Sequence, residues 1–202
     1  MQHKLNPPER SYAELQQQLE QAEKITELAL SELVALRQSQ PWGHNTAAES
    51  ILKIQHQLQF ILNHAQRHNS RFALLFVQLD HFDSFLDMGD ALMPKKVSEL
   101  TRSRLSAAVR QCDSICQLAD DQFLLLITDV KRILDTALVA EKLMRHLEMP
   151  HDLPLQYTQL SVSIGISRYP EDGSDAMVLI ERASAAMQHA KNRGGRQFSL
   201  LR

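Results

Sequence analysis

The stretch Phe72-Ala-Leu-Leu-Phe-Val-Gln-Leu79 constrains the fold more than any other part of the chain. It is far shorter than the roughly 20 residues a membrane helix needs, and too uniformly apolar for a sheet with one wet face. A strand buried on both sides satisfies it. Around it the periodicity keeps switching. Ser114–Leu118 and Gln122–Thr128 read as strands joined by a tight turn. Leu160, Val162, Ile164 and Ile166 alternate strictly, which predicts a strand with one buried face. Gln197–Leu201 completes the strands. Helices are expected from an Asn45 or Thr46 cap to His68, over 91–110, over 134–147 with Leu138, Leu143, Met144 and Leu147 inside, and from a Ser174 or Asp175 cap to Lys191. The order helix, strand, helix, hairpin, helix, strand, helix, strand predicts an α/β fold: a mixed sheet packed against helices.

A different pattern precedes this domain. Residues 11–38 carry Leu15, Leu19, Ala22, Thr26, Ala29, Leu33 and Leu36 at alternating steps of four and three, without Gly or Pro, as a coiled-coil-like helix would. Pro41-Trp42-Gly43 breaks it. The expected organisation is therefore a helical stalk over 1–42 and a globular domain over 43–202. The stalk's apolar stripe is to be buried in a parallel homodimer or, alternatively, against its own domain.

Length and charge narrow the function. A net charge of -2 provides no general basic field for nucleic acid or an anionic membrane. No apolar run approaches a membrane span and the polar N-terminus lacks a signal-peptide core, so a cytoplasmic protein is expected. Cys112 and Cys116, the two cysteines, read as partly buried reduced thiols. His64 and His68 lie one helical turn apart in a polar segment and read as a solvated face, not a metal site.

Beyond these readings, the segment SVSIGISRYPEDGSDAMVLIERASAAMQHAK resembles the pattern SIGIA-x-YP-x-DG followed by RAD-x-AMY-x-AK of the GGDEF domain of diguanylate cyclases. The strand ALLFVQLDHF is similar to that family's ALLFLDLDHFK. The resemblance covers about 46–202. It implies a palm-like mixed sheet related to the adenylyl cyclases, and a reaction that condenses two GTP molecules into cyclic di-GMP. That chemistry needs carboxylates for Mg²⁺ and a glycine turn that lets backbone approach phosphate.

Residue by residue, the resemblance implies a degenerate site. The signature falls on Ala119-Asp120-Asp121-Gln122-Phe123: the glycine pair is missing and Gln122 replaces the glutamate. The strand-end metal aspartate is Gln78, and Asp80 matches the family's second, lesser aspartate. The guanine-reading positions are Leu86 and Lys95, with Pro94 beside the latter. Lys191 matches a phosphate-contacting lysine, whereas the family's arginine four residues on is Gly195, with Arg196 displaced by one. The N-terminal signature DxLTGLxNR is replaced by HNTAAESI. Asp80, Asp121, Gln122 and Lys191 are accordingly expected to be vestigial, the chain not to be an enzyme, and Mg²⁺ to bind only if nucleotide still does.

Arg110-Gln-Cys-Asp113 matches the RxxD motif of the family's inhibitory site, where cyclic di-GMP binds away from catalysis. Arginine can grip guanine O6 and N7 with two hydrogen bonds, and a carboxylate can accept from N1 and N2. Lys142 stands where the family often has a second arginine, keeping charge but losing the planar fork. Arg102 and Arg104 either add positive field or face solvent. Arg110 and Asp113 could equally form a simple surface pair or helix cap. The expected function is an inactive signalling module that binds cyclic di-GMP at Arg110, Asp113 and Lys142 and acts through an unidentified protein partner. The alternatives are a nucleotide-independent dimeric scaffold and, third, an active cyclase.

Overall fold

Every residue of β1 (Phe72–Leu79) is buried, as its unbroken apolar run requires. The computed structural model describes residues 47–86, 90–150 and 160–200. The expected helix at 11–38, its pairing and the Asn45 or Thr46 cap lie outside the described residues. Residues 44–202 form one compact unit.

The elements in chain order are α1 (Ala47–His68), β1, a short α2 (Asp83–Leu86), α3 (Met93–Ala108), β2 (Ser114–Ala119), β3 (Gln122–Ile127), α4 (Ile133–Leu147), β4 (Val162–Tyr169), α5 (Ala176–Asn192) and β5 (Gln197–Leu200). Their sheet order is β2-β3-β1-β4-β5. β1 runs antiparallel to β3 and β4, and β2 antiparallel to β3, so β1 with β2 and β3 with β4 are parallel pairs crossed by helices. Elements β1 to β4 thus make a β-α-β-β-α-β unit. Right-handed crossovers place α3 and α4 on one face, antiparallel to each other.

Burial follows the period-two alternation of the strands. On the α3/α4 face, Leu75, Val77, Leu125, Ile164 and Ile166 meet Val97, Leu105, Ala140, Leu143 and Leu147. On the other, Leu74, Phe76 and Leu124 meet Leu58 and Leu62 of α1 and Leu179, Ala183 and Met187 of α5. Only α2 had no counterpart in the expected order; four residues carry too little periodicity to read.

Two expectations are corrected. β4 is buried on both faces from Val162 through Ser167, not on one. Its small residues Ser163, Gly165 and Ser167 lie beneath α5, and a Cβ on Gly165 would come within 1.9 Å of the Ala183 carbonyl oxygen. Small side chains in alternation marked a close helix, not a wet face. Leu138 is 53% exposed. The inward line of α4 is Thr136, Ala140, Leu143 and Leu147, which leaves Leu138 on the outside.

The helix caps show how sequence sets these positions. Asp175, one of the two residues expected to cap, accepts from Met177 N and Val178 N at the start of α5. Asp135 accepts from Lys131 N and Arg132 N and fixes the entry of α4. Neither cysteine forms a disulfide; Cys116 is half-buried, but Cys112, on the turn into β2, is exposed and not partly buried. His64 and His68 lie with ring centroids 4.3 Å apart and their planes tilted by 32°.

Candidate functional site

The C-terminal end of β1, the turn between β2 and β3, the start of β4 and the turn between α5 and β5 converge on one end of the sheet. Gln78, Asp80, Asp121, Gln122 and Lys191 all lie there, since α5 runs back along β4 to bring Lys191 to this end. Arg110 and Asp113 lie at the other end, roughly 20 Å away by the rise along β1.

Gln78 is opposite Gln122 across the β1/β3 ladder. Its amide donates to Asp121 Oδ2 at 2.7 Å, and the Asp121 carbonyl accepts from Leu79 N at 2.9 Å. A carboxylate at position 78 would join Asp121 around a cation. The amide instead supplies a hydrogen, and the turn is held without one. Asp120 points its charge into solvent from an exposed position.

Asp80 is buried, and both its oxygens are taken. Oδ1 accepts from Ser163 Oγ at 2.7 Å; Oδ2 accepts from Ser161 Oγ at 2.9 Å and from Arg196 N at 2.9 Å. Gly195, at φ +70°, lies against the carboxylate so closely that a Cβ there would come within 3.0 Å of it. The three residues Gly194, Gly195 and Arg196 all have positive φ. This turn directs Arg196 away from the hairpin: its Nε donates to Glu148 Oε1 at 2.7 Å, and that bond raises the guanidinium pKa. Asp80 thus ties β1, β4 and the turn before β5 into one structure. Sequence reasoning took Asp80 as a vestige of the family's second aspartate and missed its partners Ser161 and Ser163 and the Glu148 contact of Arg196; the serines' regular spacing was the signal available.

The acids here do not fit Mg²⁺. Asp121 is bonded to an amide, Asp80 is saturated by donors, and no group of three or more potential ligands occurs among the described residues. Leu86 is 59% exposed and Lys95 is exposed on the first turn of α3, so neither side chain is enclosed. Gln78→Asp is expected to cost about 1–3 kcal/mol at neutral pH, because two carboxylates would meet where an amide now donates. Acidification should recover part of it, since a protonated carboxyl donates again. Thermal denaturation at pH 5 and pH 8 would show a smaller gap from wild type at pH 5.

At the opposite end, Asp113 is 6% exposed. Its Oδ2 accepts from Arg110 N at 3.0 Å, and its Oδ1 from Thr128 N at 3.0 Å and Thr128 Oγ1 at 3.3 Å. The carboxylate clamps the exit of α3 to the end of β3. The Arg110 side chain is exposed, as is Lys142 on α4. Arg104 is half-buried and its guanidinium is engaged: it donates to the carbonyls of Leu147 and Met149 at 2.7 Å and Pro150 at 2.6 Å, capping α4. Partial burial lowers its pKa from the ordinary arginine value. This link, with the antiparallel course of α3 and α4, carries Arg110 toward the level of Lys142.

A family profile described as "Diguanylate cyclase, GGDEF domain" matches residues 50–197. The bifunctional diguanylate cyclase/cyclic di-GMP phosphodiesterase MucR of Pseudomonas aeruginosa is 38% identical over 142 residues, 68% of this chain and 20% of MucR. The cyclic di-GMP phosphodiesterase NbdA of the same organism is 32% identical over 133 residues, 62% of this chain and 16% of NbdA. The chain therefore spans about a fifth of the length of these relatives. The crystal structure of the GGDEF domain of PA1120 (YfiN or TpbB) from P. aeruginosa is similar with a TM-score of 0.67 and 25% identity, over 73% of this chain and 92% of that one. The mixed sheet and its flanking helices are those of these domains. Among the described residues, no helix is long and apolar enough to cross a membrane.

Proposed function

This chain belongs to the GGDEF family of diguanylate cyclase domains, and from that premise we propose that it is a non-catalytic member, a signalling module that binds cyclic di-GMP without making it. The observation that carries the loss of catalysis is the hydrogen bond from Gln78 to Asp121. It places a donor where the reaction needs a second anion, and so removes the metal that would bridge the phosphates and activate a hydroxyl. Leu86 and Lys95 leave guanine unread at the same end.

The ligand seat in this reading is the exposed Arg110, with Lys142 on the neighbouring α4 as a second positive charge and the remaining lone pair of Asp113 Oδ2 as acceptor. Arg110 supplies the two-pronged contact to guanine. The cyclic di-GMP chemistry of MucR and NbdA supports the ligand class. Incubation with GTP and Mg²⁺ or Mn²⁺, followed by chromatography, is expected to yield no cyclic di-GMP; product would overturn the proposal. Calorimetric titration with cyclic di-GMP is expected to give a Kd of roughly tens of micromolar or tighter. Arg110→Ala should weaken it about tenfold or more. Equal binding by the variant would remove Arg110 from the site.

One observation favours a second reading, a scaffold that binds no nucleotide. Asp113 is buried and spent on Arg110 N and Thr128, which is what a plain turn clamp would do. In that case Arg110→Ala leaves partner binding unchanged and no titration heat is seen with either protein.

A further inference from the structure

The exposed face of α4 carries a ridge that neither the hairpin end nor Arg110 uses. Ile133, Leu134 and Leu138 are 50%, 65% and 53% exposed. Leu134 and Leu138 stand one turn apart on one line of the helix, and Ile133 borders a pocket of about 180 Å³ at the N-terminus of α4. Phe72 and Val130, both buried, line that pocket with Tyr169. Large aliphatic groups clustered on a surface beside a hollow with an apolar floor and a charged rim that includes Arg71, Arg168 and Glu171 are the makings of a contact site.

The charges around the ridge say what fits it. Lys131 and Arg132 lie at its N-terminal end, exposed, and join no ion pair among the described residues. Arg145, also exposed, lies beyond its C-terminal end, two turns past Leu138. A second copy of this face is a poor partner, since either orientation of α4 on α4 brings basic ends against basic ends. An anionic bilayer is disfavoured because its uniform charge would meet Glu141 between the basic ends and Glu171 at the pocket, which a helix carrying its carboxylates toward its two ends avoids, and because the hollow is sized for single side chains. We infer that this face docks an acidic amphipathic helix of a partner protein. Its apolar stripe packs along Leu134 and Leu138, one large side chain enters the pocket beside Ile133, and its carboxylates meet Lys131, Arg132 and Arg145.

The test uses the full chain and three fluorescent 18-residue helical peptides with one shared leucine stripe. Their polar faces are glutamate-rich, glutamine-rich or lysine-rich, and binding is read by anisotropy. The glutamate peptide is expected to bind at least about tenfold tighter than the lysine peptide, in a salt-dependent manner. Leu134→Asp with Leu138→Asp should lose at least about tenfold in affinity for it while the melting temperature holds, because both side chains are already in water. Lys131→Glu with Arg132→Glu should invert the preference toward the lysine peptide. Equal binding of all three peptides, undiminished binding by the leucine variant, or binding only to phosphatidylglycerol vesicles would each overturn the proposal. So would Leu134-dependent dimerisation in sedimentation with no peptide preference.

Discussion

Gly165→Ala is expected to lower the melting temperature of the domain by roughly 10 °C, the effect of about 3 kcal/mol or more on a chain of this size. The added methyl has nowhere to go. It would lie 1.9 Å from the Ala183 carbonyl oxygen and 2.1 Å from Met187 N, and these are backbone atoms that no rotamer can move. Retreat of the strand is blocked too, because Gly165 is paired with Phe76 on one side and Ser199 on the other. Relief requires α5 to lift off the sheet, which would uncover Leu179, Ala183 and Met187. Ser167→Ala, two residues along the same face, removes only the hydroxyl that donates to the Leu179 carbonyl and should cost about 1 kcal/mol. Similar melting temperatures for the two variants would mean that the helix is not seated this closely.

Asp80→Ala is expected to cost about 3–5 kcal/mol, since it strips three donors of a charged acceptor in a buried place. Ser163 is fully buried, and its hydroxyl would be left with no water to turn to. The loss should show first where the clasp closes. Hydrogen exchange is expected to quicken over 194–200, as Arg196 N is released and β5 loosens from β4. Asp80→Asn should be milder, because one acceptor oxygen remains and a serine hydroxyl can accept from the amide. Millimolar Mg²⁺ should change the stability of neither wild type nor variant. A Mg²⁺-dependent rise in the wild-type melting temperature that Asp80→Ala abolishes would overturn this and make Asp80 a metal ligand.

The sheet was legible because its strands carry one unmistakable signal, eight residues that only a two-sided burial suits, with alternation around it. What misled was the meaning of a small residue. Ser163, Gly165 and Ser167 look wet by polarity and are dry by contact, since a helix that approaches closely selects for lack of volume. Leu138 misled in the opposite sense. Apolar residues ring much of α4, and only the phase of Thr136, Ala140, Leu143 and Leu147 tells inside from outside. At the candidate site, the departures from the family's motif could be read from residue identity alone. The new employment of those that remain could not, because Asp80 finds its partners 81, 83 and 116 positions away. Asp113 was read as a ligand group, and its distance in sequence from Thr128 hid the clamp.

The hydrogen bond between Gln78 and Asp121 also bears on what this domain can hear. In the non-catalytic reading proposed above, a hairpin latched by a neutral amide would keep its shape whether guanosine nucleotides are plentiful or scarce, and whatever the local magnesium. An active cyclase listens at both ends, to substrate at one and product at the other. Under the function proposed above, the Arg110 end is the domain's single ear, and a signal entering there would not be confounded by the state of the nucleotide pool.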